Sequence, residues 1–270
     1  MASRKEQKEQ ARAARLAREQ ESAAKRQRTR RLQVFGGVIA AAVIVVIVAI
    51  ALSSGGGGAK KVDRAQAKAD YAAVHSLLAG IPQHGTTLGN PKAPVTLTYF
   101  GDLECPTCRA FTITPGYLSQ FIQQRVRTGN VKVVYRSSCT ATCNNHPQSV
   151  FTEQQVAAYA TGMQNLFWDY AELFYQEQQD ETSDYVNATW LQDLAEQIPG
   201  LKLPKWKTDL KDPNLSDQVD ADMAEALKLK LTGTPTLIMS GPKGSELVTG
   251  PGGAVIPAYS DLEAAAKAVA

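Results

Sequence analysis

The apolar positions of this chain change period several times, and each change predicts a different element. Residues 34–52 (VFGGVIAAAVIVVIVAIAL) are apolar on every face and carry no charge over nineteen positions. As a helix this stretch would be about 28 Å long, close to the hydrocarbon thickness of a bilayer. The pattern predicts a transmembrane helix, assigned to residues 32–53. Gly55 to Gly58 then make a flexible hinge. Over 59–79 the apolar residues Val62, Tyr71, Val74, Leu77 and Leu78 fall at helical spacing. This is either a stalk helix or a first packing element, and residues 54–80 are assigned as linker and stalk. Gly80, Pro82, Gly85, Gly89 and Pro91 break the pattern and mark a loop.

Residues 94–100 (PVTLTYF) are rich in β-branched and aromatic side chains and predict a strand. A helix follows over 106–127, with Phe111, Leu118, Phe121, Ile122 and Val126 inward and a kink at Pro115. Gly129 and Asn130 turn the chain into a second strand, 131–136 (VKVVYR). Strand, helix and strand in this order imply parallel pairing with a right-handed crossover. Residues 147–230 are helical in pattern, with a long helix to 178, a short one around 190–198 and a third over 215–230. The aromatics Phe167, Trp168, Tyr170, Phe174 and Tyr175 lie in this block as core, or in part as the lining of a groove. Residues 235–240 (PTLIMS) and 246–249 (ELVT) read as a hairpin across a Gly-Pro-Lys-Gly turn, and 259–269 as a terminal helix. The fold class is therefore α/β, with residues 81–270 as one domain and a helical insertion at about 147–230.

Charge adds orientation. Residues 1–31 hold eleven Lys or Arg against four Glu, and only Leu16 is a large aliphatic. This is a solvated basic tail. Its charge of +7 leaves −4 for the rest of the chain, since the whole carries +3. The tail suits anionic lipid, and basic charge alone does not argue for nucleic acid. Lys25, Arg26, Arg28, Arg30 and Arg31 directly precede the apolar segment. The positive-inside rule puts the N-terminus in the cytoplasm and the domain outside, as a single-pass, signal-anchored protein of the cell membrane. A cleaved signal peptide is the alternative, and the long charged start argues against it.

All four cysteines, Cys105, Cys108, Cys139 and Cys143, lie after the apolar segment, in a compartment where disulfides persist. Cys105-Pro106-Thr107-Cys108 falls at the strand-to-helix junction. A sulfur at a helix start faces unpaired amides and the positive end of the helix dipole, both of which stabilise thiolate. Pro106 sits where its missing N–H costs nothing. Cys105 is expected to attack, and Cys108, more buried, to resolve the mixed disulfide. A static staple and half of a zinc site are the competing readings of the same spacing. No metal and no cofactor beyond the redox-active disulfide are expected.

Three separated stretches carry a family resemblance: 88–95 (LGNPKAPV), 99–108 (YFGDLECPTC) and 231–236 (LTGTPT). In order and spacing they resemble the thioredoxin superfamily, and within it the DsbA-like disulfide-forming proteins. The resemblance covers roughly residues 81–270 and implies a thioredoxin fold with an inserted helical domain. It also implies that the Thr234–Pro235 bond is cis, that it lies against the Cys105–Cys108 pair, and that the Thr234 backbone pairs with a substrate peptide.

Thr107 stands where the best-known DsbA pattern has histidine, so the pair lacks a positive neighbour and is expected to be less oxidising than the strongest oxidants. Asp102 and Glu104 add negative charge before Cys105. They are candidates for a proton relay, with a capping or solvated acid as the alternative. Cys139 and Cys143, four apart, are assigned a structural disulfide, with a second redox pair as the alternative. Asn187-Ala188-Thr189 is a formal glycosylation acceptor. The expected activity is oxidation of cysteine pairs in reduced or unfolded secreted proteins. Reoxidation would come from a quinone-linked membrane partner, DsbB-like or vitamin K epoxide reductase-like. A reductase or isomerase of the same fold, or a non-catalytic binding module whose cysteines are all structural, remain as alternatives.

Overall fold

The computed structural model of the chain describes residues 61–270. The expected basic tail at 1–31 and transmembrane helix at 32–53 lie outside the described residues. Among the described residues no helix is long and apolar enough to cross a membrane. The first helix, α1 (Arg64–Leu78), begins where the Asp63 carboxylate accepts the N–H groups of Ala65 and Gln66. That satisfies two of the donors a helix start leaves open. Its buried stripe is Ala67, Tyr71, Val74 and Leu78, and the Tyr71 hydroxyl donates to Asp169 Oδ1 at 2.9 Å. Of the two readings of this segment, the structure has the packing element.

Strands β1 (Gln83–His84) and β2 (Thr87–Leu88) form a hairpin where Gly and Pro predicted only a loop. Thr87 and Leu88 pair with Val134 and Val133, so tertiary pairing makes these strands, not local propensity. Next come β3 (Val95–Gly101), α2 (Pro106–Ile113), α3 (Leu118–Phe121), which runs on into a π-helical turn at Ile122–Val126, and β4 (Val131–Ser137). β3 and β4 are parallel, from Val95 opposite Val131 to Gly101 opposite Ser137. The single kinked helix expected over 106–127 is instead two helices. Thr114 is extended (φ −76, ψ 131), because Pro115 disfavours helical backbone at the residue before it.

The insertion holds α4 (Ala141–Asn145), α5 (Gln148–Gly162), α6 (Phe167–Glu177), α7 (Ala188–Ala195), α8 (Leu203–Asp209) and α9 (Pro213–Lys228). The long helix expected over 147–178 breaks after Gly162, where Asn165 takes a left-handed φ of 59. Asn187, the formal glycosylation acceptor, caps α7 by accepting from Thr189 and Trp190 N–H. Then follow β5 (Thr236–Gly241), β6 (Gly244–Val248) and α10 (Tyr259–Val269). β5 is antiparallel to both β3 and β6, and the sheet order is β1-β2-β4-β3-β5-β6. The architecture is α/β, one continuous sheet with a helical block inserted in the chain between β4 and β5.

The core is continuous between sheet and insertion. Tyr135 of β4 lies 5.0 Å from Phe167 of α6 and 5.4 Å from Tyr99 of β3, ring centroid to ring centroid. Tyr99 in turn meets Phe111 of α2 edge-on at 5.4 Å. Phe167, Trp168, Tyr170, Phe174 and Tyr175 are all buried, so these aromatics are core.

One buried carboxylate ties α9 to the sheet. Asp222 Oδ1 accepts from Arg136 Nη1 at 2.7 Å, and Oδ2 accepts from the Tyr159 hydroxyl at 2.6 Å and Ser137 N–H at 3.1 Å. Asp222→Asn removes the charge and turns an amide donor toward groups that need an acceptor. It should destabilise the domain by about 2–4 kcal/mol, read from the urea midpoint. An unchanged midpoint would show that the network contributes nothing net.

Candidate active site

Strand β3 ends at Gly101, where a Cβ would fall 2.7 Å from Tyr135 Cε2 and 3.1 Å from Tyr99 Cε2. Only glycine lets the strand pass these rings and turn toward the helix. The turn closes with Cys105 N–H donating to the Asp102 carbonyl at 3.1 Å. Cys105 then caps α2 with extended backbone (φ −73, ψ 119), and Pro106 occupies the first turn. The Cys105 sulfur accepts the Cys108 N–H at 3.4 Å, so it sits at the unpaired amides of the helix start.

The opposite wall is the segment before β5. The Thr234–Pro235 peptide is cis, the isomer the resemblance implies. The Thr234 carbonyl lies 3.4 Å from Cys105 Sγ, which donates to it as a thiol. Cys105 is 5% exposed and Cys108 fully buried, and both are free thiols. Pro106 is exposed and Thr107 half-buried beside them, forming the rim. Cys105 is thus more enclosed than an open nucleophile, and access to it runs past Pro106.

The two thiols are driven apart. Cys105 is lowered to about 7, chiefly by the hydrogen bond from the Cys108 thiol, then by Thr234 and the Cys108 N–H, against burial and the Asp102 charge. Cys108 is raised well above its ordinary value, first by burial and then by its role as donor to Cys105. The exposed-side sulfur is therefore the thiolate and the buried one the thiol.

The two acids before Cys105 turn toward the insertion. Asp102 is buried and accepts from Thr140 N–H at 2.9 Å, Thr142 N–H at 3.0 Å, the Thr142 hydroxyl and Glu104 N–H at 3.1 Å. Burial raises its carboxyl while these donors hold it down. Burial also lifts Glu104 to about 7, with His146 opposing and Asp102 adding to the shift. One Glu104 oxygen is 3.4 Å from Gln154 Nε2, and the other has no hydrogen-bond partner. Both carboxyl groups bond to backbone, threonine and glutamine groups, not to a sulfur. Cys139 and Cys143 are joined in a disulfide.

Several side chains at the site had no signal in the sequence. Gln178, just past α6, donates to the Leu103 carbonyl at 2.7 Å and the Cys105 carbonyl at 3.2 Å. The Tyr175 hydroxyl donates to the Asp102 carbonyl at 3.3 Å, and Arg109 Nε donates to the Tyr175 carbonyl at 2.7 Å. The insertion thus grips the redox turn from behind. The only cue in the sequence was for Thr140 and Thr142, which stand between two cysteines.

The profile of a family described as thioredoxin matches residues 83–249. Probable disulfide bond formation protein D of Bacillus anthracis is 26% identical over 160 residues, covering 57% of this chain and 69% of that protein. Disulfide bond formation protein D of Bacillus subtilis is 28% identical over 156 residues, covering 57% and 66%. Among solved structures, oxidised BdbD from Bacillus subtilis matches with a TM-score of 0.56 at 21% identity, over 71% of this chain and 96% of that one. DsbA of Chlamydia trachomatis matches at 0.51 and 16% identity, over 68% and 90%. The structural likenesses speak for the fold, and the profile, spanning most of the domain that carries the cysteine pair and the cis-proline, speaks for the family. On these grounds the chain belongs to the thioredoxin family, and its fold, with a helical block between β4 and β5 in the chain, is like that of DsbA.

Proposed function

We propose that this thiol–disulfide oxidoreductase is anchored in the cell membrane by residues 32–53, with its domain outside, and oxidises cysteine pairs of reduced or unfolded secreted proteins. The observation that carries the reading is the Cys105 sulfur at the start of α2, 3.4 Å from both the Cys108 N–H and the Thr234 carbonyl. The Cys108 N–H at the helix start stabilises a thiolate, and the Thr234 carbonyl beside it is an acceptor for an extended peptide. The names of the bacillus relatives, which speak of disulfide bond formation, support the oxidising direction.

In the forward reaction a substrate thiolate attacks Cys105 of the Cys105–Cys108 disulfide. The S–S bond breaks, and Cys108 leaves with the electron pair and takes up a proton. A second substrate thiolate then attacks the substrate sulfur bound to Cys105. The substrate disulfide forms, and Cys105 leaves as a stabilised thiolate. Two electrons have passed to the enzyme. A quinone-linked membrane reoxidase, DsbB-like or vitamin K epoxide reductase-like, would remove them, and anchoring raises the effective concentration for that exchange. The disulfide itself is the only redox group this scheme needs.

The competing direction has its own support, since Thr107 brings no positive charge and the Asp102 charge raises Cys105. The reduction potential of the Cys105–Cys108 pair in the full-length chain separates them. Oxidation calls for a value above about −200 mV, whereas a thioredoxin-like value of roughly −270 mV would assign a reductase instead.

A further inference from the structure

The loop that carries the second cysteine pair touches both walls of the redox centre. On one side Thr140 and Thr142 N–H bind Asp102 Oδ2 at 2.9 and 3.0 Å, and the Thr142 hydroxyl binds Oδ1. On the other side the Thr140 hydroxyl bonds to the Thr234 hydroxyl, and the Thr234 carbonyl faces Cys105 Sγ at 3.4 Å. The Cys139–Cys143 bridge, with a sequence separation of 4, closes on this segment. Ser138 N–H pins the start of the loop to the Gly101 carbonyl at 2.9 Å.

We propose that Thr140, held in place by the Cys139–Cys143 bridge, is a positioning residue that sets the hydroxyl and carbonyl of Thr234 against Cys105. This rests on the oxidoreductase reading above. A bridge over so short a loop removes little freedom from the unfolded chain, because that contribution grows with loop length. It is poorly placed to stabilise the whole domain and well placed to hold one turn rigid. Either hydroxyl of the Thr140–Thr234 pair can donate; where Thr140 donates, the Thr234 hydroxyl keeps its own proton for the cysteine pair. In keeping with this, the Thr234 side chain favours the charged form of both Cys105 and Cys108. Asp102 is the carboxylate acting on Cys105, and it is held by the same loop, so the loop governs both influences.

The test follows the pH dependence of Cys105 alkylation by iodoacetamide in the full-length chain. The active-site pair is reduced with one equivalent of dithiothreitol, and the Cys105 peptide is read by mass spectrometry, which also verifies the Cys139–Cys143 bridge. In wild type the midpoint is expected near 7. In Thr140→Val it should rise by about half to one pH unit, a roughly three- to tenfold slower reaction at pH 6. Cys139→Ser/Cys143→Ser should shift it at least as far, and Thr140→Ser should restore the wild-type midpoint. If Thr140→Val and the double variant both keep the wild-type midpoint, the positioning role is overturned, whatever happens to their melting temperatures. A shift in Thr140→Val without one in the double variant removes the bridge from the device and overturns the proposal as stated. A wild-type midpoint at the ordinary cysteine value of about 8.5 would sink the active-site reading itself, independently of the variants.

Discussion

Cys105→Ser should lower the rate of thiol–disulfide exchange by at least about a thousandfold, equivalent to roughly 4 kcal/mol of lost transition-state stabilisation. The magnitude follows from the chemistry, since a serine hydroxyl at neutral pH is neither a thiolate nor a partner for an S–S bond. The fold should survive the change. Cys105 caps α2 by accepting a backbone N–H, and serine is among the best residues for that role. Far-ultraviolet circular dichroism and the melting temperature should therefore stay near wild type while oxidation of a dithiol peptide fails. Cys108→Ser tests the division of labour. Cys105 remains nucleophilic, but the buried partner that resolves its adducts is gone, so mixed disulfides with substrate should accumulate on non-reducing gels. Substantial activity in Cys105→Ser would sink the assignment and turn attention to Cys139 and Cys143.

Glu172→Gln should stabilise the domain by roughly 3–5 kcal/mol at pH 8.5 while changing stability by less than about 1 kcal/mol at pH 5. Glu172 lies in α6, 1% exposed, and one of its oxygens has no hydrogen-bond partner. Burial, with Asp169 adding to it, pushes its carboxyl up to about 8. Between its ordinary value of 4.5 and about 8 the folded chain keeps this proton while the unfolded chain has released it. Unfolding then releases a proton, so rising pH favours the unfolded state. The stability is complete below about 4.5 and declines until the pH passes the folded value. Glu104 and Glu177, each raised to about 7 mainly by burial, act in the same direction, so the wild-type curve should fall across neutral pH. Glutamine keeps the shape without the titration and should flatten the slope by up to one proton, about 1.4 kcal/mol per pH unit. Parallel pH curves for wild type and variant would refute this account of Glu172.

What could be read from the sequence was whatever carries its own period or its own chemistry. β3 and β4 show β-branched and aromatic runs, β5 and β6 flank a Gly-Pro-Lys-Gly turn, and α2 begins at a proline after a cysteine that caps it. The elements that escaped depend on partners distant in the chain. β1 and β2 are two residues each and exist because β4 offers an edge. α4 and α8 are five and seven residues long, too short to display a period against the background of the block. The break at Thr114 was a matter of degree, since proline was read as bending the helix and in fact ends it. At the site, the Cys-Pro-Thr-Cys spacing and the Thr-Pro pair were readable, but the groups around Asp102 were not. Apart from the Glu104 N–H, its donors come from positions 140 and 142, about forty residues on, and Gln178, which holds the neighbouring Leu103 and Cys105 carbonyls, is further still. A carboxylate next to a cysteine looks the same in sequence whether it relays protons or anchors a loop.

The rings of Tyr99, Tyr135 and Phe167 join β3, β4 and α6 in one stack. Withdrawing Phe167 would uncover Tyr135 beside the strand that flanks the redox turn, so swinging the inserted helices open carries the cost of exposing core aromatics. Sheet and insertion are therefore expected to open together in hydrogen exchange. Whatever give a passing polypeptide demands is then left to the border at Pro106, which is exposed, because the cystine loop opposite is pinned to Asp102 and Thr234.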